Sequence, residues 1–324
     1  METNNSEITV IDLADISLER LVPNPDNDIL TLCYKIKSAL SNRGLVFVKN
    51  HGIKEDEIQN LFSIFDQFLE LPDSIKKIYK SNGVKDVHGF MAQNTEKFKK
   101  KNKVELRESF NITQFDRKFP DTEIPQFSKH VKEMFEKLTA VANIFLQLLA
   151  IGLGLKHDYL LKCHNILDRN INTSILRLIK YPPVEIEPHE GIIRIEEHTD
   201  YGTCTLLIQD SEGGLEVKGL DGEWRRVGFL PGSILINTAD LLDLWTSGEC
   251  KAAVHRVVVP EEKEVRMRSR HSMAFFVHPD ATTIIKPLNS SREFEDKGRN
   301  AKEHILKRVR DSEPCIEEKI HQSG

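Results

Sequence analysis

Between residues 174 and 278 the chain is cut into short apolar runs by turn signals, and this spacing limits the folds open to it more than any other feature. The runs cover residues 174–181, 191–197, 203–209, 215–218, 224–227, 233–237, 254–259 and 272–278. Between them stand Pro182-Pro183, Gly213-Gly214, Asp221-Gly222, Pro231-Gly232 and Ser247-Gly248, residue types that supply the turn dihedrals other side chains resist. Segments this short cannot carry stable helices. Their number and spacing predict an all-β sandwich or jelly roll.

Upstream the apolar period changes. Ile29, Leu30, Cys33, Ile36 and Leu40 recur at helical spacing over 26–41, with Gly44 placed for a left-handed cap, and 44–49 reads as a buried strand. A second helical stripe, Ile58, Leu61, Phe62, Phe65, Phe68 and Leu69, ends at Pro72. A third runs from Phe127 to Gly152 and reads as core scaffold. Residues 8–12 read as a short strand and 18–25 as a loop. The charged segment 73–125, with Gly83, Gly89, Pro120 and Pro125, reads as irregular and ligand-facing or mobile. A sparse stripe of Ala301, Ile305, Leu306 and Val309 predicts one terminal helix within 292–324. The expected organisation is an N-terminal strand and helix region over 1–170, a β core over 171–281 and a tail with a helix over 282–324. No repeat or linker separates them, so one continuous unit is expected.

Charge narrows the functional classes. The net charge is -5, and the basic run 97–103 is balanced by Glu96, Glu105 and Glu108, so no nucleic-acid-binding stripe is expected. No run approaches about 18 consecutive apolar residues, and the first residues lack a basic stretch followed by an apolar one. The expectation is a cytoplasmic protein without a membrane role. Cys33, Cys163, Cys204, Cys250 and Cys315 are scattered and odd in number, and read as free thiols. His189-Glu190 lacks the second histidine of a zinc-protease helix, Gly152-Leu153-Gly154 lacks the third glycine of a dinucleotide loop, and no nucleophile elbow occurs.

His198-Thr199-Asp200 joins a histidine and a carboxylate at H-x-D spacing, and His255 lies in the apolar run Ala253-Val254-His255-Arg256-Val257. Two histidines and one carboxylate form the facial set that holds non-haem Fe(II) and leaves coordination positions open. Taken singly, H-x-D recurs by chance and His255 reads better as a core histidine bonded to backbone. Arg270 and Ser272 change the weighting. On an extended run, positions two apart share a face, so a guanidinium and a hydroxyl converge on one carboxylate. Together the four signals predict an iron-dependent oxygenase.

The surrounding segments resemble the 2-oxoglutarate- and Fe(II)-dependent dioxygenases of the isopenicillin N synthase-like family. The resemblance runs through residues 8–12, 44–53, Leu71-Pro72, Glu108-Ser109-Phe110, Lys180-Tyr181-Pro182-Pro183, 198–203, 213–217, Asn237-Thr238-Ala239-Asp240 and His255-Arg256-Val257, in the family order. It implies a double-stranded β-helix core, a metal site of His198, Asp200 and His255, and a cosubstrate site of Arg270 and Ser272 with Tyr181. The implied cofactors are Fe(II), 2-oxoglutarate and O2, with ascorbate as a supporting reductant. The implied reaction oxidises a C–H bond of a small molecule, by hydroxylation or a related step, and releases succinate and CO2.

Two departures stand out. Ile179 occupies the place where plant members often carry an asparagine, and the stretch between His255 and Arg270 is longer than in plant members, which bears on the arginine's register. Two alternatives stay open: an iron oxidase that does not use 2-oxoglutarate, and a non-catalytic sensor on the same fold. Trp224 reads as a hairpin aromatic packing the sheet, and Asn237 and Asp240 as residues that order a turn. Tyr201, the 73–125 segment and the terminal helix are where substrate contacts are expected. The substrate and the oligomeric state are not legible.

Overall fold

The computed structural model describes residues 8–14, 16, 25–93, 104–189, 192–288 and 298–312. Most of the predicted 18–25 loop, the basic run 97–103, Gly191, Cys315 and the tail beyond 312 lie outside these residues. The chain opens with β1 (Val10–Asp12), α1 (Asn27–Arg43), β2 (Leu45–Lys49) and α2 (Glu55–Glu70). Next come α3 (Asp73–Lys76), β3 (Gly89–Met91), β4 (Val104–Glu105), β5 (Glu108–Ile112) and α4 (Phe127–Gly152). The β-rich half holds β6 (Ile175–Tyr181), β7 (Ile192–Ile193), β8 (Ile195–His198), β9 (Cys204–Gln209), β10 (Leu215–Lys218), β11 (Trp224–Arg226) and β12 (Ser233–Thr238). It ends with α5 (Asp240–Trp245), β13 (His255–Val257), α6 (Lys263–Arg266), β14 (Arg270–Val277), β15 (Ile284–Ile285), β16 (Arg299–Asn300) and α7 (Ala301–Ser312).

Local chemistry sets the helix limits. The Asp26 carboxylate accepts from the Ile29 amide at 2.9 Å and caps α1, and Gly44 takes φ +67° at the other end while its N–H reaches Leu40 O at 3.0 Å. A residue with a Cβ would strain at that φ. Glu57 accepts from the Lys54 amide at 3.1 Å to start α2. The long helix α4 keeps the bounds its stripe predicts. By length and composition it could cross a bilayer, but 67% of its most apolar window is buried in this fold. Its stripe packs on the sheet and against α1 and α2.

An eight-stranded sheet in the order β1-β2-β12-β9-β14-β6-β5-β3 faces a four-stranded sheet in the order β11-β10-β13-β8. This is the mainly β jelly roll that the turn spacing predicts. The 73–125 segment differs from its irregular reading. Here β5 pairs antiparallel with β6 (Phe110 opposite Leu178) and β3 pairs with β5, so both extend the large sheet. The pairing partner stabilises what the polar, glycine-containing sequence does not signal. The predicted run 191–197 also breaks, into β7 and β8 with a bend at Arg194.

Two cores result. The outer face of the large sheet packs on the helices through Phe68, Phe110, Phe135 and Phe275, with Phe68 edge-on to Phe110 at 5.3 Å and Phe135 edge-on to Phe275 at 4.9 Å. The inner faces of the two sheets meet through Phe47, Ile179, Ile195, Val217 and Leu235. Strand β2 serves both, sending Val46 and Val48 to the helices and Leu45 and Phe47 between the sheets. That explains a continuous apolar run where a one-sided strand would alternate. Cys33, Cys163, Cys204 and Cys250 are free thiols.

One polar cluster ties α2 to the large sheet. His271 on β14 sets Nε2 2.9 Å from Asp66 and Nδ1 3.5 Å from Asp210, and Lys180 reaches Asp66 at 2.7 Å. Burial alone would push this imidazole down, but the two carboxylates more than offset it and hold it up to about 9. Its folded value therefore lies above the ordinary 6.5, so its stabilisation is complete below pH 6.5 and is lost as pH rises through about 9. Replacement His271→Asn should flatten the dependence of unfolding free energy on pH across that window, measured by urea titration at several pH values. An unchanged slope would show that the cluster does not carry it.

Candidate metal centre and its pocket

His198 closes β8, His255 opens β13, and the two are paired across the ladder. Neighbouring antiparallel partners bring their rings to 4.2 Å between centroids, tilted by 52°. Asp200 follows on the turn after β8. Its Oδ1 lies 3.8 Å from His198 Nε2 and 3.9 Å from His255 Nε2, and the three ligand atoms fall within 4.8 Å of one another. Those separations are too long for hydrogen bonds, yet right for atoms that share an ion.

The remaining polar atoms of the triad are committed elsewhere. His198 Nδ1 donates to Glu196 O at 2.8 Å and His255 Nδ1 to Ala253 O at 3.0 Å, which places the lone pair of each ring on Nε2. Asp200 Oδ2 accepts from Thr205 Oγ1 at 2.6 Å and Asn237 Nδ2 at 2.8 Å, leaving Oδ1 toward the histidines. Burial, and then the neighbouring His255, push His198 well below the usual imidazole range, so it stays neutral. Burial would raise Asp200, but His255, His198 and its two hydrogen-bond donors outweigh it and hold it anionic. Two imidazoles and one carboxylate are a borderline N/O donor set suited to Fe(II). Gly202 keeps this turn against β14, because a Cβ there would overlap the Val277 carbonyl oxygen.

A cavity between the sheets connects the triad to a cationic end. Arg270, Ser272, Ala274 and Phe276 of β14 line it by strict alternation, beside Tyr181, Ile179 and Arg177 of β6. Arg270 is 1% exposed and its Nη2 donates to Gln209 Oε1 at 2.8 Å, while Nη1 stands 3.5 Å from Ser272 Oγ and Nε has no partner among the described residues. The Tyr181 ring centre lies 4.7 Å from its Cζ. All six predicted site residues thus face one cavity. The longer stretch before Arg270 is taken up by α6, and Arg270 pairs with Tyr181. Ile179 supplies an apolar wall at the position of the plant asparagine.

Several contributors are hidden from sequence reading. Asn237 does more than order a turn, since it binds the Asp200 carboxylate directly. Thr205 and Gln209 carry no signal beyond their places on an inward strand face. Trp224 stacks with Arg256 at 4.1 Å on the small sheet, away from the cavity lining.

Comparison with known proteins agrees with this geometry. Residues 172–279 match the profile of the 2OG-Fe(II) oxygenase superfamily, and residues 8–134 match that of the non-haem dioxygenase in morphine synthesis N-terminal region. A 2-oxoglutarate-dependent dioxygenase of Glarea lozoyensis is 31% identical over 284 residues, covering 79% of this chain and 84% of that one. The chain belongs to the 2-oxoglutarate- and Fe(II)-dependent oxygenase family. A 2-oxoglutarate-Fe(II) type oxidoreductase of Metarhizium rileyi is 30% identical, covering 83% of this chain and 80% of its own. The crystal structure of a full-length Neurospora crassa protein in complex with alpha-KG superposes with a TM-score of 0.81 at 26% identity, covering 94% and 96% of the two chains. The oxygenase is a 2-oxoglutarate-dependent dioxygenase, and its cofactors are Fe(II) and 2-oxoglutarate.

Because Asn237 and Thr205 hold Asp200 in place, removing either should weaken the centre while its ligands stay intact. Asn237→Ala is expected to lower metal affinity roughly 10- to 100-fold, as loss of such supporting partners does. Titration of the metal-free oxygenase with Fe(II) under anaerobic conditions measures it, and parent-like affinity would contradict the role.

Proposed function

We propose that His198, Asp200 and His255 hold the Fe(II) of this oxygenase, that Arg270 and Ser272 with Tyr181 take the distal carboxylate of 2-oxoglutarate, and that a small molecule is oxidised at a C–H bond in the apolar part of the cavity. The carrying observation is that Nε2, Nε2 and Oδ1 converge while the outer atom of each side chain is already engaged. When bound, the iron couples O2 activation to oxidative decarboxylation of the 2-oxo acid, giving succinate and CO2. The chain's residues supply position and environment. Arg270 presents a pre-aligned fork, fixed by Gln209 and the Tyr181 ring, to an incoming carboxylate. Leu207, Leu235, Val217 and Val257 exclude water from the centre.

The small-molecule class is supported by the same Neurospora crassa protein, whose structure with alpha-KG and thymine superposes with a TM-score of 0.81 at 25% identity. In this chain the cavity wall on the substrate side combines Arg107 and Arg177 with Tyr201, Ile305 and Val309. Uncoupled succinate release in the presence of Fe(II) and ascorbate separates a 2-oxoglutarate enzyme from an oxidase that uses iron alone. His198→Ala should abolish both metal retention and succinate release. Arg270→Ala should keep the metal and raise the KM for 2-oxoglutarate by about 100-fold, the effect of losing two charge-assisted hydrogen bonds. Equal cosubstrate affinity in Arg270→Ala, or no succinate from the parent, would overturn the assignment.

A further inference from the structure

Arg194 stands in the bend between β7 and β8, four residues before His198, and is 0% exposed. Its Nε, Nη1 and Nη2 have no hydrogen-bond partner among the described residues. A cation taken out of water without acceptors is among the most unfavourable arrangements a fold can contain. Burial first, and the Arg270 charge second, lower its pKa to about 10, so it remains charged at neutral pH. The acids within electrostatic range are engaged elsewhere. Asp210 accepts from His271, and Glu212 faces Arg268 at 3.0 Å.

The position of this charge is informative. Arg194 Cζ lies 5.7 Å from the Tyr181 ring centre and Arg270 Cζ lies 4.7 Å from the same ring, so two guanidinium groups share one aromatic side chain. Arg270 stands at the Gln209 end of β9, about 13 Å along the strand from Thr205 and the Asp200 carboxylate it binds, and Arg194, which is not among the residues lining the cavity, lies next to this end beside Tyr181. Bare backbone packs beside the second guanidinium. Gly214, at φ +93°, has Arg194 Nη1 3.5 Å and Val258 O 2.7 Å from where its Cβ would be. Two buried like charges with spare donors gain stability when an anion is brought to them.

We infer that Arg194 is a second guanidinium anchor for the terminal carboxylate of the cosubstrate, and that it makes this end of the pocket selective for 2-oxo acids carrying a second negative charge. This rests on the reading that Arg270, Ser272 and Tyr181 receive 2-oxoglutarate. Arg270 fixes the direction of the carboxylate through its bonds to Gln209 and its approach to Ser272. Arg194 adds the charge that a monocarboxylic 2-oxo acid cannot satisfy. An acid that lacks the terminal carboxylate would leave both cations unmet, so discrimination exceeds what one arginine gives.

The test is calorimetric binding of 2-oxoglutarate and of 2-oxopentanoate, which lacks the terminal carboxylate, to the full chain loaded with Mn(II). Melting of the ligand-free protein is followed alongside. Arg194→Gln should weaken 2-oxoglutarate by about 10- to 100-fold, the worth of one lost charge-assisted contact, and leave 2-oxopentanoate within about twofold. Its ligand-free melting temperature should equal or exceed the parent's, because an uncompensated buried charge has gone. A lowered melting temperature with both acids weakened alike would mark a merely structural arginine and overturn the inference. If Arg194→Gln yields no folded protein, Arg194→Lys decides. Selective weakening of 2-oxoglutarate there supports the anchor, and parent-like binding overturns it. A parent that binds no 2-oxoglutarate removes the functional reading and this inference with it, whereas a parent that binds while Arg194→Gln binds equally removes this inference alone.

Discussion

Two-residue alternation along β14, β6 and β9 is the constraint on which the rest of this oxygenase depends. On β14 it sends Met273, Phe275 and Val277 to the helices and Arg270, Ser272, Ala274 and Phe276 into the cavity. The same ladder that forms the apolar core therefore lays out the pocket. A register slip of one residue would exchange the two sets, moving Arg270 out of the cavity to the helix-facing side and turning Phe275 into the cavity. Seven paired positions with β6 and six with β9 hold the register, so the site inherits the stability of the sheet.

The candidate metal ligands are positioned by a second device, in which each side chain is bonded on the side away from the others. Both histidines use the carbonyl two residues earlier, a contact each brings with its own strand. Asp200 is different, since its partners Thr205 and Asn237 come from β9 and β12, and its backbone carbonyl accepts from the Asp240 amide at 2.9 Å. The carboxylate is thus the point at which three parts of the chain must agree. Its geometry reports on the packing of the β body as the histidines do not.

What is legible in the sequence follows from the range of the interactions involved. Helices α1 and α4 advertise themselves through stripes of apolar side chains and, for α1, through Gly44, because helical contacts are local. The triad and Arg270 with Ser272 are readable because their residue types are rare in apolar strands and their spacing follows the strand period. By contrast, β3 and β5 are strands only because β6 lies beside them, and no propensity in Gly89-Phe90-Met91 says so. Asn237, Thr205 and Gln209 are ordinary polar residues until the sheet order places them next to a charge. By its sequence Arg194 is one residue of a continuous strand, and the bend that turns it inward is a tertiary event.

The two sides of the cavity are grounded in different physics. On the β side, most lining residues are carried by a backbone ladder. On the other, Ile305 and Val309 are presented by α7, which is held by backbone bonds only at its start and along its length through side chains: Arg308 and His304 to Asp240, Arg308 again to Thr199, and the Arg308 guanidinium over the Tyr201 ring at 4.6 Å. Ladders respond little to ionic strength, whereas partly exposed ion pairs are screened by it. The chamber therefore has one stiff wall and one compliant wall. The candidate triad belongs to the stiff one, and the apolar side chains of α7 form the compliant one.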